Sequence, residues 1–324
     1  MSLRLVMMGT GPFAVPTFTA LLDSRHPLAA LVTRPDRPVH DHRKQKEAAP
    51  QNPMREVARQ RAIEVFEPES VNSPEAHARL EHWVADLFVV CDFGQILSRD
   101  TLALSRLGGI NIHGSLLPKY RGAAPIQWAI FHGATQTGVS VIHMTPQLDA
   151  GPVLVQRRLA IDPDETAAQL EPRLASLGPS AVLEAIDCLV TGDTSGIPQD
   201  PMQATKAPRL KKADGLVDWG RAADEIRNQV RAMEPWPKTY TFWRSPASPP
   251  IRLILESVAT RPDGHSGSPG SVVAADAGGL VIRCGTGSLA IHRLQPAGKR
   301  SMSAGEFLRG HVVQPGQEFG DESA

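Results

Sequence analysis

The chain has 324 residues, 41% of them hydrophobic and 21% charged, which predicts about two domains with sizeable cores and excludes a disordered chain, a coiled coil and a collagen. Lys plus Arg and Asp plus Glu both total 34, so formal net charge is zero and gives no global attraction for a polyanion. From Lys206 onward, 16 basic side chains stand against 12 acidic ones, leaving 18 against 22 before it; so small a bias is either a solvated surface or the mark of an anionic partner.

In chain order, apolar runs predict strands at 3–8, 28–33, 63–66, 86–91, 109–113, 139–144 and 153–160. Helix-period segments between and after them predict helices at 13–22, 53–61, 73–83, 123–132 and 164–190. This alternation points to an α/β fold: a Rossmann-like, doubly wound, mostly parallel sheet covered on both faces. Several strands are nearly all apolar, as burial on both faces requires. Residues 192–212 are polar and punctuated by Gly and Pro, the composition of a linker. Ile226, Val230 and Met233 then recur at helical spacing. Short β runs follow at 239–242, 251–258, 270–275, 279–284 and 288–294, before a helix at 302–308. Short strands between Gly and Pro turns predict a smaller, OB-like β-barrel. The expected division is 1–198, a linker at 199–211, and 212–324.

Cys91, Cys188 and Cys284 are far apart and form no Cys-x-x-Cys pair, which suits a reducing compartment and argues against a disulfide framework or zinc knuckle. Only four apolar residues follow Arg4 before Gly9, too few for a signal-peptide core, and no window reaches the ~20 apolar residues of a membrane span. The expectation is a cytoplasmic protein with no membrane partner.

Three segments can carry chemistry. Gly9-Thr-Gly11-Pro-Phe-Ala14 follows the first strand and opens a helix, so it is either a dinucleotide-binding loop or a tight turn that needs glycine. Pro12 removes a loop amide, and the second strand ends in Val32-Thr33-Arg34 with no acid placed for a ribose. Asn111 and His113 lie two apart at the C-terminal end of a strand and so share a face, at the sheet edge where open α/β folds bind ligands. An amide donor and an imidazole there can stabilise an oxyanion and move a proton, or the histidine is only a hydrogen-bonded structural residue. Asp149, in Leu148-Asp149-Ala150-Gly151 between two apolar strands, either caps its own turn or reaches His113. His132 and His143 lack the spacing of metal ligands, so no metal is expected.

Taken together, Asn111-Ile-His113-Gly-Ser115-Leu-Leu-Pro118, Tyr120-Arg-Gly-Ala-Ala-Pro125 and Leu148-Asp149-Ala-Gly151 resemble the 10-formyltetrahydrofolate-dependent formyltransferases. The resemblance implies that Asn111, His113 and Asp149 are catalytic. It implies that Ser115, Leu116, Leu117 and Pro118, with Phe93, Gly94 and Ile96, hold the 10-formyltetrahydrofolate co-substrate. Thr33-Arg-Pro-Asp-Arg-Pro38, Phe66-Glu-Pro68, Val217-Asp-Trp219, Arg231-Ala-Met-Glu-Pro-Trp-Pro237 and Gln295-Pro-Ala-Gly-Lys-Arg300 extend the likeness over both expected domains. They are similar to the branch of the family that formylates initiator methionyl-tRNA. Two departures stand out: Asp92 replaces a usually uncharged residue, and Val39–Lys46 lacks the Gly-Arg-Gly-Lys-Lys pattern while remaining basic.

On that resemblance, residues 1–198 form the folate-binding catalytic domain and 212–324 a tRNA-binding barrel, in a protein expected to be a monomer. Arg43, Lys44, Lys46, Lys211, Lys212, Lys299 and Arg300 are the candidate phosphate contacts, each with a plain solvated-surface alternative. Trp128 and Trp236 could stack on bases or fill a core. The alternative within the same chemistry is a sugar-nucleotide N-formyltransferase. The alternative outside it is a nicotinamide-dependent oxidoreductase built on Gly9–Ala14.

Overall fold

The computed structural model describes residues 1–35, 52–193, 195–245, 248–262, 264, 267–276 and 279–322. In chain order its elements begin β1 (Leu5–Gly9), α1 (Val15–Leu22), β2 (Leu28–Val32), α2 (Pro53–Gln60), β3 (Glu64–Phe66), α3 (Pro74–His82) and β4 (Leu87–Cys91). They continue with α4 (Arg99–Ala103), β5 (Gly109–His113), α5 (Pro125–Phe131), β6 (Gln136–His143), β7 (Val153–Ala160), α6 (Ala167–Ala175) and α7 (Gly178–Val190). The chain divides into two compact units, one of residues 1–125, 136–160 and 170–208, the other of 126–135, 161–169 and 209–324.

In the first unit, seven strands form one sheet in the order β3-β2-β1-β4-β5-β6-β7. The four pairings from β3 to β5 are parallel, whereas β6 and β7 join as an antiparallel hairpin at the edge of β5. Every residue of β1 and β4 is buried, as helices on both faces demand. Val6, Val32, Phe88 and Val90 pack with Leu80 and Trp83 in one core cluster. Helix starts follow local capping chemistry: Asn52, Ser73 and Ser98 accept amides at the N-termini of α2, α3 and α4. The helix expected over 164–190 is two, α6 and α7, broken where Pro179 opens α7 and can continue no ladder from before.

The segment 197–207, inside the stretch expected to be a linker, is docked on this unit. Ile197 exchanges both backbone hydrogen bonds with Val153, at 2.7 and 2.8 Å, and Arg121 bridges Lys206 in parallel. Gly122, at φ +129°, lies so close under this strap that a Cβ there would fall 2.4 Å from the Ala207 carbonyl oxygen.

The second unit holds α8 (Ala223–Ala232), β8 (Thr239–Ser245), β9 (Ser248–Arg261), β10 (Val272–Asp276), β11 (Gly279–Arg283), β12 (Ser288–Pro296), β13 (Met302–Ser303), α9 (Ala304–Gly310) and β14 (Glu318–Gly320). Its sheet runs β10-β11-β12-β9-β8-β14 with antiparallel pairings. The Ser271–Glu318 bridge brings β14 back beside the start of β10, curling the sheet into a barrel. Register shifts between β9 and β12 around Arg293 supply curvature. Leu253, Leu255, Ile282, Leu289, Ile291 and Phe307 fill the interior. The helix expected from 302 begins at Ala304, because Ser303 and Glu306 form a capping box and Met302–Ser303 pairs with β12. Among the described residues no helix is long and apolar enough to cross a membrane.

Candidate active site

β5 carries Asn111 and His113 to the C-terminal end of the sheet, and the connection of the β6–β7 hairpin carries Asp149 to the same point. Asp149 adopts φ +50°, a left-handed conformation that Asp tolerates better than most residues but that still needs support from its surroundings. Its Oδ1 accepts from Asn111 Nδ2 at 3.4 Å and its Oδ2 from the Gly122 amide at 2.9 Å.

His113 Nε2 lies 2.8 Å from the Tyr120 carbonyl oxygen; a carbonyl only accepts, so Nε2 carries a proton. Nδ1 therefore faces Asp149 Oδ2, 3.7 Å away, with side-chain exposures of only 6% and 9%. That spacing is longer than a direct hydrogen bond yet close enough for the carboxylate to act electrostatically on the imidazole. The three side chains thus place an amide donor, an imidazole and a carboxylate around one point. This set can bind developing negative charge on an oxygen and carry a proton away from a nucleophile.

Ser115–Pro118 follows directly and is held by a buried polar network. Ser140 Oγ donates to the Ser115 carbonyl at 2.7 Å and accepts from the Leu117 amide at 3.1 Å. Gln156 Nε2 donates to the Leu117 carbonyl at 2.8 Å and to Ser140 Oγ at 2.9 Å. Ser115 Oγ donates to the Lys119 carbonyl at 2.6 Å. A network satisfied in this way fixes the backbone of the segment beside His113.

On β4's side of the edge, Phe93 is buried in the core cluster, Gly94 takes φ +74°, and Ile96 is 67% exposed. Asp92 lies against the Gly9–Ala14 turn: a Cβ on Gly11 would fall 1.7 Å from Asp92 Oδ2. The crowded surroundings push the Asp92 carboxyl up to about 6, and the nearby Glu171 charge adds to the effect. An acid in contact with this loop opposes a pyrophosphate there, so the glycines serve the turn and the contact.

Lys211 and Lys212 are exposed at the start of a short 3-10 turn over Lys212–Gly215. Lys299 and Arg300 are exposed after β12, with Arg300 Nη2 3.4 Å from Glu306 Oε1. Trp236 is 53% exposed. Arg43, Lys44 and Lys46 lie outside the described residues.

A model of the formyl transferase family matches residues 3–186, and a model of the formyl transferase C-terminal domain matches residues 209–312. The chain belongs to the formyl transferase family. It is 46% identical over 330 residues to the methionyl-tRNA formyltransferase of Rhodopirellula baltica, covering 98% of this chain and 97% of that one. It is 41% identical over 318 residues to the methionyl-tRNA formyltransferase of Geobacter metallireducens, covering 98% and 99%. Among solved structures it resembles in fold the N-formyltransferase from Helicobacter canadensis, solved with folinic acid and dTDP-3-aminofucose. That likeness has a TM-score of 0.62 at 17% identity, covering 90% of this chain and 99% of that one. As a formyl transferase the protein is an enzyme of group transfer, and the oxidoreductase alternative falls away.

Ser140, Gln156, Arg121 and Gln199 escaped the sequence reasoning. Arg121 stands inside a motif quoted for other reasons. Gln199 has no local signal, since its partners are 50 and 78 residues away.

Proposed function

We propose that this formyl transferase moves the formyl group of 10-formyltetrahydrofolate to the free amine of methionine esterified to initiator tRNA. The observation that carries the chemistry is the convergence of Asn111, His113 and Asp149 at one sheet edge. The choice of methionyl-tRNA rests on full-length relatives that bear that substrate in their names.

In this reading the uncharged amine attacks the formyl carbon, and negative charge grows on the formyl oxygen. Asn111 binds that oxygen with the amide hydrogen it does not direct at Asp149, one such donor contributing roughly 3–4 kcal/mol. His113 assists from Nδ1, which makes no direct hydrogen bond to Asp149 at 3.7 Å and donates when protonated. Asp149, 3.7 Å from His113, orients it and takes the amine proton, which passes to N10 as the formyl C–N10 bond breaks and tetrahydrofolate leaves. The amine is itself the nucleophile, so neither a nucleophilic side chain nor a metal is required.

Ser115, Leu116, Leu117 and Pro118, backed by Phe93, Gly94 and Ile96, hold the folate; the clamped Ser115–Pro118 backbone offers fixed donors and acceptors at no ordering cost on binding. Residues 1–198 carry the folate and catalytic chemistry and 212–324 the additional tRNA contacts. Arg43, Lys44, Lys46, Lys211, Lys212, Lys299 and Arg300 contact phosphates. The protein acts as a monomer in the cytoplasm.

Incubating the protein with 10-formyltetrahydrofolate and methionyl-tRNA, then hydrolysing the ester and weighing the released amino acid, tests this. N-formylmethionine is the expected product. Unmodified methionine, with formylation of a nucleotide-linked amino sugar instead, would overturn the choice of substrate.

A further inference from the structure

We infer that Gln199 is a positioning residue for the formyl transfer, holding Asp149 in register with His113 through the backbone of its turn. This rests on the catalytic role proposed for Asp149. The Gln199 side-chain amide is fully used. Its Nε2 donates to the Asp149 carbonyl at 2.8 Å and to the Gly151 carbonyl at 2.7 Å. Its Oε1 accepts from Arg121 Nε at 3.0 Å and Nη2 at 2.7 Å.

Arg121 precedes Gly122, whose amide binds the Asp149 carboxylate. One amide therefore ties the backbone of the Asp149 turn to the loop that supplies that carboxylate's own donor. Gln199 is itself fixed two residues earlier, where Ile197 pairs with Val153 at the start of β7.

Asp149 needs such a hold. Its φ of +50° is not one that an L residue keeps without outside support. Relaxation of the turn would swing the carboxylate away from Nδ1 of His113. Releasing Arg121 would also free a guanidinium on the residue next to Gly122 to compete for the same carboxylate. Misplacing a reacting group by about 1 Å costs on the order of a hundredfold in rate.

The test uses Gln199→Met, which keeps the side chain's length but donates nothing. It also uses Gln199→Glu, which keeps an acceptor for Arg121 but loses both donors. Each is made in the full-length protein and in an Asp149→Ala background, with kcat and KM measured for both substrates. Both variants should lower kcat roughly ten- to hundredfold, with each KM within about twofold. In the Asp149→Ala background neither should lower it further, because the effect passes through Asp149.

A general structural role would instead give equal losses in both backgrounds, and that result, or an unchanged kcat, overturns the proposal. A crystal structure of Gln199→Met supplies a second reading that is independent of turnover. The Asp149 carboxylate should leave its approach to His113, and an unmoved turn overturns the proposal. If the unsubstituted enzyme fails to formylate methionyl-tRNA, the substrate assignment falls while the crystal structure still decides whether Gln199 positions the turn.

Discussion

At the scale of single residues, His113 and Asp149 are nearly removed from water, and both carry hydrogen bonds that orient them. Alanine at 111, 113 or 149 should cut turnover by about 100- to 1000-fold each, measured under single-turnover conditions with circular dichroism confirming the fold. Because the three act as a unit, the triple variant should be little slower than the worst single one. Asp92 gives a pH-dependent expectation. Its carboxyl is held up to about 6 against an ordinary 3.8, so the folded protein keeps a proton that the unfolded chain gives up, and stability falls as pH rises between those values. Asp92→Asn removes this dependence; it should match the unsubstituted protein near pH 4 and exceed it above pH 6. A shift of that size corresponds to about 3 kcal/mol, which screening at a solvent-accessible side chain reduces to about 1 kcal/mol. Thermal melts across that range check it, and a constant gap at every pH would contradict it. That Asn111 and His113 share a face, with Asp149 in a turn between neighbouring apolar strands, was legible from period two and turn chemistry. Their catalytic role followed from the resemblance and is what the alanine variants test. Gln199 was not legible, since its contacts reach across 50 and 78 residues.

At the scale of elements, β1, β4, β5 and β7 announced themselves by apolar runs bounded by turn residues. What those runs did not contain was direction. An apolar strand pairs equally well either way, so the antiparallel β6–β7 hairpin, which presents Asp149, follows from the short connection and not from composition. The 197–207 strap was illegible for a related reason: Gly, Pro and polar residues make a linker and a docked strap alike, and the Ile197–Val153 and Arg121–Lys206 bridges decide. α4 was missed because its five residues carry too little periodicity to register, and β14 because three residues give too short an alternation to read. The barrel gives a stability expectation. Phe307 is fully buried on α9, stacked on His311 at 4.3 Å and edge-on to Trp243 at 5.7 Å. Phe307→Ala should destabilise the second unit by about 3–5 kcal/mol, read as an earlier denaturant midpoint in tryptophan fluorescence. A change below about 1 kcal/mol would mean that the barrel interior is not packed as described.

At the scale of the whole molecule, zero net charge leaves recognition of a polyanion to local groups. Binding of methionyl-tRNA should therefore weaken steeply with salt, each phosphate contact adding about 0.9 to the log–log slope on duplex regions. Lys299→Ala together with Arg300→Ala should flatten that slope by about one to two units. Titrations from low to physiological salt measure it, and an unaltered slope would remove both residues from the phosphate contacts. The central claim, that three side chains at one sheet edge transfer a formyl group to methionyl-tRNA, is tested most directly by kcat/KM for that reaction in the unsubstituted enzyme and in His113→Ala. Efficient transfer by the first and a loss of at least about 100-fold in a folded second is the predicted result; equal rates in the two proteins would contradict it.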